Sequence, residues 1–272
     1  MQSFDIAPSA MIGAFRNNRA LINAMVRREV VGRYRGSVMG IMWSFFNPLL
    51  MLAIYTFVFS EVFKARWHEG PSSKAEFALL LFAGLIVFNF FAECVNRAPS
   101  LILTNQNYVK KVIFPLEILP LVSLGSALFH AGVSMGVWML AYVVLYGAPH
   151  LTALFLPVIV LPLLLLTAGL SWALASLGVY LRDVSQFVGI ATSILMFLSP
   201  IFYPITSLPP RYQALMMFNP LSSMVEQVRA VLFWGQYPDV HYLVLCYLGS
   251  ILIAWLGFAW FQKTRKGFAD VI

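Results

Sequence analysis

The chain has 272 residues, 60% of them hydrophobic and 11% charged, with a mean hydropathy of +0.81. A water-soluble domain carries about a quarter charged residues, so this composition excludes a soluble enzyme and describes an integral membrane protein. The net charge of +7 then reports orientation and contact with anionic lipid rather than nucleic-acid binding.

At roughly 20 apolar residues per crossing, the length suits one all-α domain over 1–272 with six membrane spans. Residues 1–15 are nondescript and lack the basic start and apolar core of a cleavable signal, so the N-terminus is expected in the cytosol. Over 17–35, Leu21, Ile22, Met25, Val26 and Val30 recur at helical spacing, with Arg19, Arg27, Arg28 and Arg33 on the other face. This pattern predicts an amphipathic helix capped by Asn17 or Asn18, lying in the cytoplasmic interface or packed as a solvated helix on a partner. The first span is expected at 38–63 and contains Asn47-Pro48, a polar amide and a helix breaker, read either as a bend or as a packing kink. Further spans are expected at 77–95, 121–146, 153–181, 184–203 and 242–261, with a polar loop at 64–76 and a stretch over 96–115 too interrupted to cross.

With the N-terminus inside, thirteen Lys and Arg fall on the cytosolic side and five outside. That asymmetry favours an even span count with both termini cytosolic. Glu93 and Glu117 are expected near the cytosolic ends of spans.

Two segments are more than connections. In 105–120 (NQNYVKKVIFPLEILP), Lys110 and Lys111 stand beside Tyr108 and Phe114, and Pro115 and Pro120 bracket a short piece suited to docking a cytosolic partner; a plain turn is the simpler alternative. The 204–241 segment is too apolar for a soluble loop. Its prolines break it early, Asn219-Pro220 reads as a cap with proline at the first helical position, and Leu221, Met224, Val225, Val228, Val231 and Leu232 form one apolar face. Glu226 and Arg229 are spaced to pair at i,i+3. Two short helices dipping into the outer leaflet fit this pattern, and so do two helices lying flat on the membrane. Aromatic residues crowd the first span and the end of the fifth, either as lipid-facing belts or as the lining of a conduit for a sugar polymer.

The four histidines are scattered, and neither a catalytic triad nor a phosphate-binding loop is present. Cys94 and Cys246 lie in apolar stretches and read as packing residues. No carboxylate is expected mid-span, where a proton- or sodium-coupled carrier needs one. Energy is therefore expected from a separate ATPase on the cytosolic face.

The order of basic helix, RGSVMGIMWSFFNPLL, NYVKKVIFPLEILP, LRDVSQF, SPIFYP and a late NPL resembles the membrane (permease) subunit of ABC-2 type exporters. The likeness is specifically to the polysaccharide-exporting branch that serves O-antigen, and it covers nearly the whole chain. It implies a homodimer of six-span subunits around a conduit, joined by two copies of a cytosolic ABC ATPase that hold the ATP and Mg, with no cofactor on this chain. It further implies that Asn105, Tyr108, Lys110, Lys111 and Phe114 couple to the ATPase, and that 202–217 and 220–234 form outer gate helices. The implied substrate is a glycan on an undecaprenyl diphosphate carrier, moved from the cytosolic to the periplasmic side of a bacterial inner membrane. On this reading Arg33 and Arg35 meet the pyrophosphate where substrate is admitted, and Trp43, Phe46, Tyr55 and Tyr203 line the conduit. Export of capsule or teichoic acid is the alternative within transport. A multi-span enzyme acting on lipid-linked sugar is the alternative outside it, and the lack of a catalytic carboxylate or histidine cluster argues against that.

Overall fold

A computed structural model describes residues 5–59, 67, 74–110, 114–217 and 219–272. These are all helix and turn. In chain order the helices are α1 (Pro8–Asn17), α2 (Arg19–Arg33), α3 (Trp43–Phe57), α4 (Lys74–Thr104), α5 (Gln106–Val109), α6 (Ile118–Tyr146), α7 (Leu156–Tyr180), α8 (Val184–Leu198), α9 (Pro210–Met217), α10 (Pro220–Leu232), α11 (Val240–Thr264) and α12 (Phe268–Val271). Among the described residues, five segments are long and apolar enough to cross a membrane: Gly40–Phe57, Ala75–Thr104, Ile118–Tyr146, Leu151–Tyr180 and Val240–Val271. The expected fifth span is shorter than predicted. α8 has 15 residues, about 22 Å of helix at 1.5 Å per residue, against a hydrocarbon core of about 30 Å.

α4 is the central helix, buried over most of its length and packed against α3, α6, α7, α8 and α10. Its neighbours are fastened to it and to each other by side chains that seek buried carbonyls. Trp138 Nε1 on α6 donates to the Leu79 carbonyl at 2.8 Å, and Trp172 Nε1 on α7 donates to the Glu117 carbonyl at 2.9 Å. α7 and α11 pack with backbones almost touching: a Cβ added to Gly169 would strike the Ile253 carbonyl, and one added to Gly257 would strike Gly169. Between helices in lipid there is little hydrophobic drive, so small residues that let backbones approach supply the packing energy. Tyr180 Oη donates to the Thr264 carbonyl at 2.7 Å, and the Ser176 and Thr264 hydroxyls share a bond of 2.6 Å.

The helix boundaries depart from the sequence reading in physically specific ways. The 96–115 stretch is not wholly irregular, because α4 continues through Pro99 to Thr104. Pro99 removes one backbone donor, yet transmembrane helices tolerate this when neighbours close in. Gly178 of α7 lets its backbone do so, for a Cβ there would strike Pro99. Glu93 consequently lies two turns or more inside α4 rather than near its end. The helix predicted over 17–35 is present as α2, Arg19–Arg33, and a separate helix before it, α1, was missed altogether. Neither Asn17 nor Asn18 caps α2: the Asn18 amide donates back to the Ala14 carbonyl at 2.9 Å and closes α1 instead. α6 begins at Ile118 rather than 121, because Pro120 sits in the first turn, where no intrahelical donor is required. The Ser199-Pro200 pair ends α8 five residues earlier than predicted. Most of the expected polar loop at 64–76, and residues 60–63 of the expected first span, lie outside the described residues.

α10 matches its prediction closely. The Asn219 side chain accepts from the Leu221 amide at 3.0 Å, Pro220 occupies the first turn, and the six apolar residues of the predicted face are buried. That face packs on α4 and α7.

Candidate functional site

The charged residues gather at the end of the bundle formed by α2, the C-terminal part of α4, the start of α6 and the end of α11. There a polar cavity of about 190 Å³ opens between α2, α3, α4 and α6, lined by Arg33, Tyr34, Asn47, Asn89, Glu93 and His130 among others. The chain reaches it through Gly36, whose φ of +87° is a left-handed turn that glycine adopts without steric cost. This turn lies between α2 and α3, whose ends both border the cavity.

Four charges make a continuous network that leads away from the cavity, where Arg33 and Glu93 form part of the wall. Arg33 pairs with Glu93, Arg97 approaches the same carboxylate at 3.6 Å, and Arg97 binds Glu29 at 2.6 Å. Partial burial works to lower the Arg33 pKa, but its bond to Glu93 and the fields of nearby groups outweigh it, leaving the value above the ordinary one. The guanidinium is therefore permanently charged. Next to it Tyr34 Oη lies 3.3 Å from His130 Nδ1, with the rings edge to face. His130 thus bonds to an adjacent element, as expected of a lone histidine in a span. Arg35 is exposed and does not line this cavity. The arrangement offers cationic and neutral donors to an anionic or hydroxylated group.

The four aromatics expected along a conduit divide between the two ends of α3. Trp43 is its exposed first residue, and Phe46 meets only Phe45 edge-on, at 6.1 Å, among the ring contacts of the described residues. At the other end Tyr55 is 6.5 Å from Phe59, Phe59 stacks on Phe77 (5.5 Å) and Phe202 (6.1 Å), and Phe202 stacks on Phe197 (5.9 Å). Tyr203 Oη donates to the Phe197 carbonyl at 2.9 Å. That bond closes the chain where α8 stops. Tyr55 therefore belongs to an aromatic row joining α3 to the break after α8, and Tyr203 is tied to the far end of that row through the Phe197 carbonyl.

The 105–120 segment is tied at both ends. The Asn105 amide donates to the Leu101 carbonyl at 2.8 Å, finishing α4. Tyr108 stacks on Phe114 with centroids 4.2 Å apart and accepts a bond of 3.0 Å from Arg28 of α2. Arg265, beyond α11, binds Glu117 at 2.5 Å and the Phe114 carbonyl at 3.0 Å. Lys110 is exposed; Lys111 lies outside the described residues. Arg28 and Arg265 were missed as members of this cluster because they are distant in sequence, while Glu117, inside the segment, was read only as a carboxylate near the end of a span.

Arg229 of α10 was recognised only as half of an ion pair. Its side chain is fully buried. Besides Glu226 at 2.9 Å, it donates to the carbonyls of Leu80 (2.8 Å), Pro200 (2.5 Å) and Ile201 (2.9 Å), and lies 4.3 Å over the Trp67 ring. Gly84 makes room for it, since a Cβ there would stand 2.7 Å from Nη2. The planar five-donor fork suits this task. The only sequence signal was a lone arginine within an apolar helical face.

A family model described as ABC-2 type transporter matches residues 20–233. The O-antigen export system permease protein RfbA of Klebsiella pneumoniae is 27% identical over 254 residues, covering 93% of this chain and 95% of the relative. RfbA of Myxococcus xanthus is 28% identical over 267 residues, covering 93% and 96%. The polysialic acid transport protein KpsM of Escherichia coli is 23% identical over 249 residues, covering 88% and 92%.

Proposed function

From the premise that the chain belongs to the ABC-2 type transporter family, we propose that it is the permease subunit of an ATP-driven exporter of lipid-linked O-antigen polysaccharide. In this reading it works in a bacterial inner membrane, with both termini cytosolic. It hydrolyses nothing itself, and ATP and Mg belong to a separate nucleotide-binding subunit that docks on the charged end of the bundle. The substrate crosses from the cytosolic to the periplasmic side on its undecaprenyl diphosphate carrier.

The observation that carries the proposal is the polar cavity at the foot of α3, with Arg33 and Asn47 on its wall, on the chain's most lightly buried spanning helix. Arg33 meets the carrier's pyrophosphate there, and exposed Arg35 guides it in. Two faces support a conduit between two copies of the chain. α3 leaves Leu50, Ile54 and Phe57 uncovered, and α8 leaves Phe187, Ile190, Ile194 and Phe197 uncovered. α8 acts as the sixth crossing, with 199–203 completing its depth. Trp43 and Phe46 receive the glycan, and Tyr55 and Tyr203 pass it toward α9 and α10, which serve as the outer gate. Closure of the ATPase dimer pushes on Asn105, Tyr108, Lys110, Lys111 and Phe114 and spreads the α3/α8 pairs.

Deletion of the gene tests this. Lipid-linked polymer should accumulate inside the cell and vanish from the surface, and the chain expressed in trans should restore it. Normal surface polymer in the deletion strain would refute the proposal. The likeness to KpsM supports capsule export as a second reading, and the polymer lost from the surface distinguishes the two.

A further inference from the structure

At the end of the bundle opposite the charged network lies a second cavity, of about 290 Å³, bounded by α10, the loop that follows it and the start of α11. Its walls are largely apolar and include Trp234, Tyr237 and Tyr242, with Ser222, Glu226, Gln227 and Asp239 between them. Two of these polar groups are buried without a protein partner: Gln227, 8% exposed, has a free Oε1, and Ser222, 2% exposed, has a free hydroxyl. A buried oxygen without a donor is costly, and these two lie just beneath the cavity wall with almost no accessible surface, so a bound sugar's hydroxyls reach them when the wall side chains shift to admit the ring. The two carboxylates are already engaged. Glu226 binds Arg229 at 2.9 Å, and Asp239 caps α11 by accepting from the His241 and Tyr242 amides at 2.9 and 3.3 Å. Their remaining lone pairs accept hydrogen bonds and repel anions. Tyr237, 77% exposed, stands at the rim, where its ring also meets Phe155 edge to face at 5.8 Å.

We infer that this cavity is a glycan subsite which takes one uncharged pyranose unit of the polymer as it leaves the conduit. Aromatic faces match the apolar C–H face of a sugar ring, while amide, hydroxyl and carboxylate oxygens match its equatorial hydroxyls. The volume lies at the lower end of small-ligand pockets, which suits a single ring held within a long chain. Contacts of this kind hold the emerging polymer weakly, so that it is retained between strokes and still released. The inference rests on the exporter reading and adds a site that reading does not require.

Saturation-transfer difference NMR tests it on the permease–ATPase complex in lipid nanodiscs. The probe is the producing strain's own polysaccharide, freed from its lipid carrier by mild acid. Wild type should transfer saturation to the ring protons, and Tyr237→Ala and Gln227→Leu should each weaken binding about tenfold, the loss of a stacked ring or a buried hydrogen bond. Thermal unfolding and co-purification with the ATPase establish that each variant is folded. Should Gln227→Leu misfold, the exposed Tyr237→Ala still decides the matter. Equal transfer from wild type and Tyr237→Ala, or none from wild type, overturns the subsite. If wild type nevertheless restores surface polymer to the deletion strain, the exporter reading survives alone; if it does not, both fall.

Discussion

Arg229 donates through Nε to the Leu80 carbonyl at 2.8 Å, joining α10 to α4 across 149 positions of sequence. The same guanidinium holds the Pro200 and Ile201 carbonyls, so α10, α4 and the break after α8 share one buried cation. α10 is thereby built into the bundle. Removing the cation leaves those three carbonyls and Glu226 without their donor. Arg229→Met should cost about 3–5 kcal/mol, as breaking a buried charged cluster does, with Arg229→Lys intermediate because it keeps the charge but loses the fork. Thermal unfolding in detergent measures both, and an unchanged midpoint for Arg229→Met contradicts this account of the cluster.

The α7–α11 crossing depends on missing side chains. Gly257→Val forces a branched side chain into the Gly169 backbone and should abolish recovery of folded protein, or lower its unfolding midpoint strongly. Gly132 has nothing within 4 Å of its absent Cβ. Gly132→Ala should therefore be tolerated, gaining up to about 1 kcal/mol of helix propensity. Parallel purification of the two variants checks the contrast.

On the proposed function, Arg33 and Arg35 act on the substrate headgroup from different positions, one bound to Glu93 and one exposed. The double variant Arg33→Ala/Arg35→Ala should lower export roughly tenfold or more, the scale of one lost charge-assisted bond. Co-purification with the ATPase should not change. Normal surface polymer from the double variant would remove the headgroup role.

Tyr108 links α2 to the 105–120 segment through Arg28 and Phe114, and on the proposed function that segment couples to the ATPase. Tyr108→Ala should uncouple the subunits, so that the ATPase still co-purifies and hydrolyses ATP while surface polymer falls. Tyr108→Phe keeps the stack and loses only the exposed bond to Arg28, worth about 1 kcal/mol; it should export nearly normally. Equal export by wild type and Tyr108→Ala would place the coupling elsewhere.

Local chemistry made much of this fold legible. The Asn219-Pro220 start, the apolar face of α10 and the Glu226–Arg229 pair follow from spacing of one to four residues and occur as read. The boundaries that went astray were set by contacts between distant elements. Pro99 stays helical because Gly178, 79 positions away, lets α7 close over it. Asn18 turns back on α1, which the sequence near residue 10 does not announce. That the end of the basic helix meets the Asn47-Pro48 break was legible as a location, since Arg33, Asn47 and Pro48 line one cavity. Its other walls, Glu93, Asn89 and His130, come from α4 and α6, and no local pattern links them to the Arg33 junction. The partners of Arg229 were invisible for a simpler reason: three are backbone carbonyls, which carry no residue signature.

Proteoliposomes containing the chain with its ATPase, loaded with undecaprenyl diphosphate-linked polysaccharide, test the central claim most directly. With ATP and Mg added on the ATPase side, the polymer should become accessible to a glycosidase confined to the opposite side, and Arg33→Ala/Arg35→Ala should slow this without preventing assembly. Polymer that stays protected in the presence of ATP, with an intact and hydrolysing complex, would contradict the proposal that this chain forms the path for lipid-linked polysaccharide.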